Sequence, residues 1–334
     1  MKLSKKATMK DIAKLCGVSA MAVSKALGGK GGVSKDTAKR IAAAAKKLNY
    51  TPNMIAKSLR VNETRTLGVV VSDSSHLLFA KMLAAISEAA EHEEYSVIMA
   101  NTGQSAAREK KAVESLVNKR IDGLLLAAPI HVDAKSVAEL LGFGIPVALL
   151  MRHGGERVDS VVTDNYRGGY EMVDYLLKTG SGPIHMINLS KKSQSGKERL
   201  RGYRTALREL GSAHNAGEVL HCPPQIEEGY AAMRRLLEKG ITSGAVFCGC
   251  DVIAIGAIRA VLEKGFSIPG DFRICGYDDI ELLDDLKVPL TTMRQPAQDM
   301  GREAIALVLK RIREPRRKPE RIVMPGTLVV RAST

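Results

Sequence analysis

The sequence predicts two parts with different folds: an all-α head containing a helix-turn-helix, and an α/β body built from doubly wound parallel sheets. Two observations support this prediction. Charge is uneven, because residues 1–65 contain 15 of the 50 Lys and Arg but only three of the 36 acidic residues. From Leu67 onward, short apolar runs alternate with amphipathic segments, which is typical of buried parallel strands separated by helices. A basic head on a nearly neutral body indicates a polyanionic partner for the head and a different task for the body.

The first predicted helix of the head begins after Thr8 and ends near Cys16. Thr8 suits the N-cap position because its hydroxyl can satisfy a free backbone N–H, and Asp11 places a negative charge near the positive end of the helix dipole. The apolar face is expected to consist of Ile12, Ala13 and Leu15.

A tight turn and a second helix follow at once. Gly17 can adopt the positive φ that ends a helix, and Ser19 can cap a second helix that runs through Ala26. Ala13 is small enough to let this second helix cross the first one closely. The spacing predicts a helix-turn-helix, a motif whose second helix enters the major groove of DNA.

A third helix is predicted after the glycine-rich loop 28–32, with Ser34 as its cap and apolar residues at helical spacing through Leu48. Pro52 ends this region, since the residue before a proline is pushed out of the α conformation. Asn53 can then cap one more short helix, MIAKSLR, which is too short to be stable alone. We expect it to become ordered only when something binds it.

Together these residues resemble the head of the lactose-repressor/galactose-repressor (LacI/GalR) family of bacterial transcription regulators. The matching segments are TMKDIAKLCGVS, AVSKAL, LNYTPN and AKSLR. The resemblance implies a DNA-binding domain at 7–52, a hinge helix at 53–61, and an effector-binding and dimerisation core at 62–334. It also implies that two hinge helices pair in the minor groove of DNA, with Leu59 as the apolar wedge that opens a base step.

Residues at the start of the second helix are expected to reach base edges, whereas the helix caps are expected to hold phosphates. Lys25 could serve either purpose. The predicted DNA-binding residues, including those of the hinge, are Thr8, Ser19, Ala20, Met21, Ser24, Lys25, Ser34, Asn53, Ala56 and Leu59.

The apolar runs of the body predict buried strands, and the segments between them predict helices. The runs are LGVVV, SVIMA, GLLLAA, PVALLM, IHMIN, GAVFC and RICGY, with VVRAST as an apparent last strand. Helices are expected near 80–92, 105–119, 166–179, 197–210, 228–239, 252–265 and 297–313. The basic, proline-bearing segment 313–321 is expected to be a solvated loop rather than a second nucleic-acid site.

The resemblance implies that this body is a two-lobed core similar to periplasmic sugar-binding proteins, with a ligand in the cleft. Lobe one is expected to cover about 62–163 and 292–324, and lobe two about 164–291 and 325–334. In open α/β sheets, ligands bind beyond the carboxyl ends of the strands. Family positions narrow the candidates there to Phe79, Arg152, Asp164, Ser193, Ser195, Arg199, Cys250 and Asp278.

Two of these candidates have a clear chemical role, according to the resemblance. Arg199 matches an arginine that clamps ligand hydroxyls or carboxylates, and its planar fork can bond two oxygens at once. Asp278 matches an acid that accepts hydrogen bonds from ligand hydroxyls or amines. Ser193 and Ser195 fill a loop in which some relatives carry arginine or threonine.

Several candidates have a structural alternative. Phe79 could be a core residue, Asp164 could be a helix cap, and Arg199 could belong to a surface ion pair. Arg152 follows a methionine where many relatives carry an aspartate. If it lies unpaired near the cleft it would favour an anionic effector, and otherwise it would point to solvent.

Other classes of protein fit the sequence less well. No Walker P-loop, G-x-S-x-G, H-E-x-x-H or strand-to-helix G-x-G-x-x-G motif is present, so no enzyme and no cofactor are expected. Cys248 and Cys250 form a Cys-x-Cys pair without further ligands at metal spacing, which favours strand packing over a metal or redox site. The sequence shows no run of about 18 apolar residues, so no membrane span is expected. The lack of a secretory signal, together with the basic head, argues against a pure solute receptor.

The sequence therefore predicts a cytoplasmic, homodimeric transcription regulator, most simply a repressor. Its expected partners are double-stranded operator DNA and a small-molecule effector, a sugar or sugar derivative, in the interlobe cleft. A dimer is expected because one helix-turn-helix contacts only a half-site.

Overall fold

The structure is a computed structural model, which describes residues 7–28, 32–50, 63–103, 105–127, 134–211 and 215–334. The chain divides into two units, Met1–Thr64 and Arg65–Thr334, called here the head and the body. The predicted hinge helix at 53–61, with its DNA-contacting positions Asn53, Ala56 and Leu59, lies outside the described residues.

The described part of the head contains three helices, α1 (Met9–Cys16), α2 (Ala20–Leu27) and α3 (Lys35–Lys47). At the start of α1, the Asp11 carboxylate accepts hydrogen bonds from the Thr8 backbone N–H at 2.8 Å and from the Thr8 hydroxyl at 2.6 Å. Gly17 ends α1 with φ 64°, and Ser19 Oγ accepts a hydrogen bond from Ala22 N at 3.1 Å at the start of α2. The predicted helix-turn-helix is confirmed.

The core of the head takes one fully buried side chain from each helix: Ile12, Val23 and Ile41. The expectation that Leu15 belongs to this core is wrong, because Leu15 is 53% exposed and Cys16 is buried in its place. Helical geometry explains the exchange, since side chains four residues apart lie one above the other and Cys16 follows Ile12 by four. Arg40 Nη2 donates to Cys16 O at 2.7 Å, so α3 holds the C-terminal end of α1.

The body alternates strands and helices along most of its length. Its strands are β1 (Thr66–Val71), β2 (Ser96–Asn101), β3 (Gly123–Ala127), β4 (Val147–Leu150), β5 (Asp159–Thr163), β6 (Ile184–Leu189), β7 (Ala216–Cys222), β8 (Gly244–Cys248), β9 (Phe272–Asp278), β10 (Thr291–Arg294), β11 (Arg321–Met324) and β12 (Thr327–Val329). Its helices are α4 (Leu77–His92), α5 (Ala106–Asn118), α6 (Ala134–Gly142), α7 (Asn165–Thr179), α8 (Gln194–Leu210), α9 (Ile226–Glu238), α10 (Asp251–Glu263) and α11 (Ala297–Arg313).

These strands form two sheets, one for each lobe. The first sheet has the order β11-β5-β4-β3-β1-β2 and the second has the order β12-β10-β9-β8-β6-β7. The strand pairs are parallel, except that β12 runs antiparallel to β10. Helices cover both faces of the first sheet, since Met82 and Ile86 of α4 belong to one core and Val113 and Leu116 of α5 to another. The predicted doubly wound α/β fold is confirmed.

In the described residues the chain crosses between the lobes between β5 and α7, between β10 and α11, and between β11 and β12. Strand β10 belongs to the second sheet, because it pairs with β9. The chain therefore returns to lobe one after Arg294, at Gln295 and Pro296, and not at residue 292. Helix α11 then packs against α4 and the central strands of the first sheet.

Several expectations about the strands need correction. Strand β2 was expected to be buried, but among the described residues it pairs with β1 alone, at the edge of its sheet, and Ile98 and Met99 are 36% and 48% exposed. Four strands (β5, β7, β10 and β11) and helix α6 were not predicted. The last strand ends at Val329, so the segment VVRAST is not a strand.

The basic segment 313–321 was expected to be a solvated loop, but one of its arginines binds a buried carboxylate. Arg317 Nη2 lies 2.7 Å from Oδ1 of the buried Asp159, and Arg311 Nε lies 2.9 Å from its Oδ2. Arg317 thus ties this segment to the start of β5, and Arg311 ties α11 to the same buried carboxylate. None of the helices in the described residues is long and apolar enough to span a membrane.

Candidate functional site

A cavity of about 330 Å³ lies between the two lobes of the body. Most of its wall comes from residues at or just after the carboxyl ends of β1, β4, β6, β7, β8 and β9, as expected for ligand sites of α/β folds. Part of the wall is apolar, and the rest carries hydroxyl and charged groups. The lining residues are Ser72, Asp73, His76, Leu78, Phe79, Met151, Leu189, Ser190, Lys192, Ser193, Ser195, Arg199, Pro224, Cys250 and Asp278.

Arg199 is the most completely buried charged residue of this wall, at 1% exposure. Its Nε donates to Asn165 Oδ1 at 2.8 Å, and Nη1 donates to the backbone carbonyl of Gly249. Its guanidinium carbon lies 3.6 Å from the centre of the Tyr277 ring, a cation–π contact. These contacts fix the guanidinium plane and leave Nη2 directed toward Asp278, 4.0 Å from Oδ1.

Glycine residues bring the helix that carries Arg199 close enough for these contacts. A Cβ atom on Gly169 of α7 would collide with the backbone of Arg199, and one on Gly202 of α8 would collide with the backbone of Tyr166. Helices α7 and α8 can therefore pack backbone to backbone, which places Arg199 beside Asn165 at the start of α7.

Asp278 ends β9 in a conformation that favours glycine, with φ 124°. A non-glycine residue in this region carries strain of about 1–3 kcal/mol, which the surrounding contacts must offset. Gln295 Nε2 donates to Asp278 Oδ1 at 2.6 Å. Burial raises the pKa of Asp278 to about 6, although Arg199 and the Gln295 hydrogen bond act in the opposite direction.

A second carboxylate, Asp251, lies close to Asp278 but does not line the cavity. Asp251 is fully buried and accepts hydrogen bonds from Thr292 Oγ1 at 2.6 Å and from Ile280 N at 3.0 Å. Burial, together with the nearby charge of Asp278, raises its pKa to about 7. Its bond to Ile280 N thus anchors the loop that follows Asp278 and β9.

His76 and Phe79 form the part of the wall that belongs to lobe one. Their rings meet edge to face, with centroids 5.8 Å apart. His76 Nε2 lies 4.0 Å from Asp278 Oδ2, and within the described part of the chain its buried Nδ1 has no hydrogen-bond partner. Burial lowers the pKa of His76, so the imidazole is neutral at pH 7.

Ser193 and Ser195 lie on the wall formed by lobe two. Ser193 caps α8, because its Oγ accepts a hydrogen bond from Gly196 N at 3.1 Å, and it lies 3.0 Å from the Ser195 hydroxyl. Cys250 also lines the cavity and is buried. Burial holds the pKa of its thiol well above the ordinary value, so the thiol stays protonated and is a poor metal ligand.

Arg152 and Asp164 were predicted at the site but do not line the cavity. Arg152 is neither unpaired nor directed to solvent, as it is buried and its Nη2 lies 3.2 Å from Glu109 Oε1. The reason for expecting an anionic effector is thereby removed. Asp164 is a helix cap, the alternative considered for it, because its Oδ1 accepts a hydrogen bond from Arg167 N at 2.9 Å at the start of α7.

Sequence reasoning did not single out His76, Asp251 or Pro224. His76 and Asp251 fall inside stretches that follow predicted strands, but nothing in the residue order separates them from their neighbours. Pro224 follows β7, a strand that was not predicted. In the described residues no group of three or more His, Cys, Asp or Glu is placed to hold a metal ion.

The outer face of α2 in the head is open to solvent. Ala20, Met21 and Lys25 are exposed there, with Met21 at 69%, while Ser24 is half-buried. Ser19 and Ser34 are exposed at the starts of α2 and α3, where their side chains accept hydrogen bonds from backbone N–H groups.

Thr8 stands apart from these residues at the start of α1. It donates its hydroxyl hydrogen to the negatively charged Asp11. Thr8 is therefore less suited than Ser19 to donate to a phosphate.

Two family models match this chain, and together they cover most of it. The model of the bacterial regulatory proteins of the lacI family matches residues 8–53. The model of periplasmic binding proteins and the sugar binding domain of the LacI family matches residues 64–332.

Individual proteins agree with these models. The ribose operon repressor of Haemophilus influenzae is 34% identical over 329 residues, which are 98% of each chain. The HTH-type transcriptional repressor PurR of Histophilus somni is 33% identical over the same length, again 98% of each chain. The structure of the Lac repressor dimer bound to operator and an anti-inducer superposes with a TM-score of 0.91 at 26% identity, covering 99% of each chain. The chain thus belongs to the lacI family of bacterial regulatory proteins, in which it is a transcriptional repressor and not an enzyme.

Proposed function

We propose that this chain is a homodimeric repressor whose affinity for a specific operator is controlled by a neutral sugar or sugar derivative bound in the cavity of the body. The observation that carries the proposal is the placement of Arg199 and Asp278 on one wall of that cavity. A guanidinium donates hydrogen bonds and a carboxylate accepts them, so together they serve hydroxyl groups that do both.

The size and lining of the cavity support a small polar ligand. Leu78, Phe79 and Met151 offer an apolar surface for the C–H face of a ring, and the polar groups around them fix its orientation. One relative is named a ribose operon repressor, and this name supports a sugar as the class of effector. A repressor with a different name is almost equally similar, so the proposal names a class of ligand and not one compound.

For the head, we propose that base edges are contacted by Ala20, Met21, Ser24 and Lys25. Backbone phosphates, which position the head on the DNA, are bound by Ser19, Ser34 and Thr8. The exposed start of α2 supports this assignment, because its free N–H groups and helix dipole favour a phosphate beside the side chains that reach the groove. A dimer is part of the proposal, since one head reads only a half-site.

The link between effector and operator is proposed to pass through segment 53–61. Effector binding would change the angle between the lobes and with it the spacing of the two hinge segments on DNA. The coupling must be reciprocal, so operator DNA must change effector affinity by the same factor.

The test begins with a thermal-shift screen of the full chain against neutral sugars, sugar acids and nucleobases, because a ligand that binds only the folded protein raises Tm. The hit is then titrated calorimetrically with and without an operator selected from random DNA. Arg199→Ala should lose the ligand response, while Arg204→Ala, an exposed arginine on the same helix, should keep it. An effector affinity that is identical with and without operator would contradict the proposed control.

A further inference from the structure

The basic segment before β11 is held in place by a buried carboxylate. Arg317 Nη2 lies 2.7 Å from Asp159 Oδ1, and the backbone N–H of Glu320 donates to the same oxygen at 2.8 Å. Arg311 Nη1 donates to the backbone carbonyls of Pro315 and Arg317. The backbone from Pro315 to Glu320 is therefore fixed, and the exposed side chains on it are already positioned before any partner binds.

Three exposed cations lie on or beside this anchored segment: Arg316, Lys318 and Arg157. Arg157 is a neighbour of the segment, because it lines a cavity of about 230 Å³ together with Pro315 and Pro319. Among the described residues, none of the three cations has a carboxylate oxygen within 4.0 Å. Their charges are therefore available to a partner.

These cations form part of a row along one edge of the first sheet. Strands β11, β5, β4, β3 and β1 are parallel neighbours, so their amino ends lie along the same edge. Arg316 and Lys318 precede β11. Arg157 precedes β5, and Lys119, which is also exposed, precedes β3. We call these four residues the basic edge.

The length of the basic edge suits an extended polyanion. Neighbouring strands are about 4.8 Å apart, so the distance from β11 to β3 is about 14 Å. One strand of B-DNA carries a phosphate about every 3.4 Å along the helix axis. The row therefore matches a stretch of several phosphates better than it matches a single small anion.

The polyanion that fits this position is DNA. The chain enters the body at Arg65, directly before β1, so the DNA-binding head is joined to the same edge of the sheet on which the row lies. The effector cavity lies at the opposite, carboxyl ends of the strands, so the two sites do not compete. Two exposed carboxylates, Glu156 and Glu314, are close to the row in sequence, but its four cations outnumber them.

We propose that the basic edge of lobe one is a second DNA-binding surface, which holds phosphates of the DNA that flanks the operator. Its contacts are independent of sequence, because they go to the DNA backbone. They add affinity to the complex, while the head alone reads the bases. Because the segment is already fixed, little conformational entropy is lost when the phosphates bind.

The test compares two duplexes that contain the same operator, selected from random DNA. One has about 20 bp and holds the two half-sites, and the other has about 60 bp and adds about two helical turns on each side. The full-length wild type should bind the long duplex more tightly, and the logarithm of its association constant should fall more steeply with the logarithm of the salt concentration. Arg316→Ala/Lys318→Ala should reduce this slope on the long duplex by about 2 for each subunit, because each phosphate contact contributes about 0.9. On the short duplex the variant should match the wild type.

Two control variants separate these contacts from a change in overall charge or shape. Arg204→Ala/Lys264→Ala removes one exposed arginine and one exposed lysine from lobe two and should match the wild type on both duplexes. Arg316→Lys/Lys318→Arg keeps both charges of the basic edge and should also match the wild type.

Three results would overturn the second DNA-binding surface. The first is an equal slope of the wild type on the two duplexes, and the second is an alanine variant that keeps the full effect of the flanking DNA. The third is a loss of equal size on both duplexes, which would show that the two residues do not act on the flanks. If the flanks have no effect and a poly-glutamate peptide binds the wild type but not the alanine variant, the basic edge serves an acidic protein partner instead.

Discussion

Replacement of Arg199 by alanine should destabilise the body in a way that depends on pH. Arg199 is 1% exposed, and its removal leaves the buried carboxylate of Asp278 without its nearest cation. Breaking a buried charge pair by removing one partner costs about 3–5 kcal/mol. The acceptors on Asn165 and Gly249 also lose their donor, but water from the adjoining cavity can replace it, so their loss adds little to this free-energy cost.

The dependence on pH follows from Asp278. Arg199 lowers the pKa of this buried carboxyl, which lies at about 6 in the intact protein, so the variant raises that pKa further. Protonation of Asp278 removes the uncompensated charge. The free energy of unfolding should therefore differ little between wild type and variant at pH 5, and the difference should grow as the pH rises from 6 to 8.

The chain contains no tryptophan, so urea unfolding is best followed by far-ultraviolet circular dichroism. A loss of about 3–5 kcal/mol corresponds to a fall in Tm of roughly 10 °C for a unit of this size. The double variant Arg199→Ala/Asp278→Asn should recover much of the loss, and Arg204→Ala should match the wild type. A loss that is equal at pH 5 and pH 8, or that Asp278→Asn does not relieve, would refute this account of Arg199.

Three further predictions concern other parts of the chain. Gly17→Ala should destabilise the head by about 1 kcal/mol because φ is 64° there while the space around the new Cβ is empty; Gly17→Asn should cost less, and equal losses in thermal unfolding would contradict the backbone explanation. Leu59→Ala should weaken binding to a specific operator far more than to random DNA in gel shifts, and equal losses would argue against a wedge. Burial raises the pKa of Asp251 to about 7, so its protonation stabilises the folded protein at about pH 4 and this contribution is lost as pH rises through 7. Asp251→Asn should make the free energy of unfolding fall less steeply than in the wild type between pH 5 and pH 8. If urea unfolding gives parallel pH profiles for the two proteins, Asp251 does not make this contribution.

The sequence was sufficient to predict the fold because its signals are local. Gly17 and Ser19 mark the turn of the head by conformational preference alone, and the buried strands are runs of consecutive apolar residues. Leu15 was misplaced because three apolar residues in five do not define which side of a short helix faces the core. Strand β2 was misplaced because an apolar run reports hydrophobicity and not position in the sheet.

The site was predicted less completely, because its chemistry depends on residues far apart in the chain. Arg199 and Asp278 were found through family positions. Whether Arg152 is paired depends on Glu109, which lies 43 residues away, and nothing in the sequence around Glu109 indicates this contact. His76 could not be distinguished from its neighbours until the structure placed its ring opposite Asp278.

The geometry of the cavity is also tied to the segments that connect the lobes. Gln295 Nε2 donates to Asp278 Oδ1 at 2.6 Å, and Thr163 Oγ1 donates to Gln295 Oε1 at 2.5 Å. Thr163 ends the strand that leads into the first crossover, and Gln295 stands in the second. All three side chains are buried, so the hydrogen bonds are shielded from competing water. Since Asp278 is the proposed acceptor for the ligand, a change in its position or charge acts directly on two of the segments about which the lobes are joined.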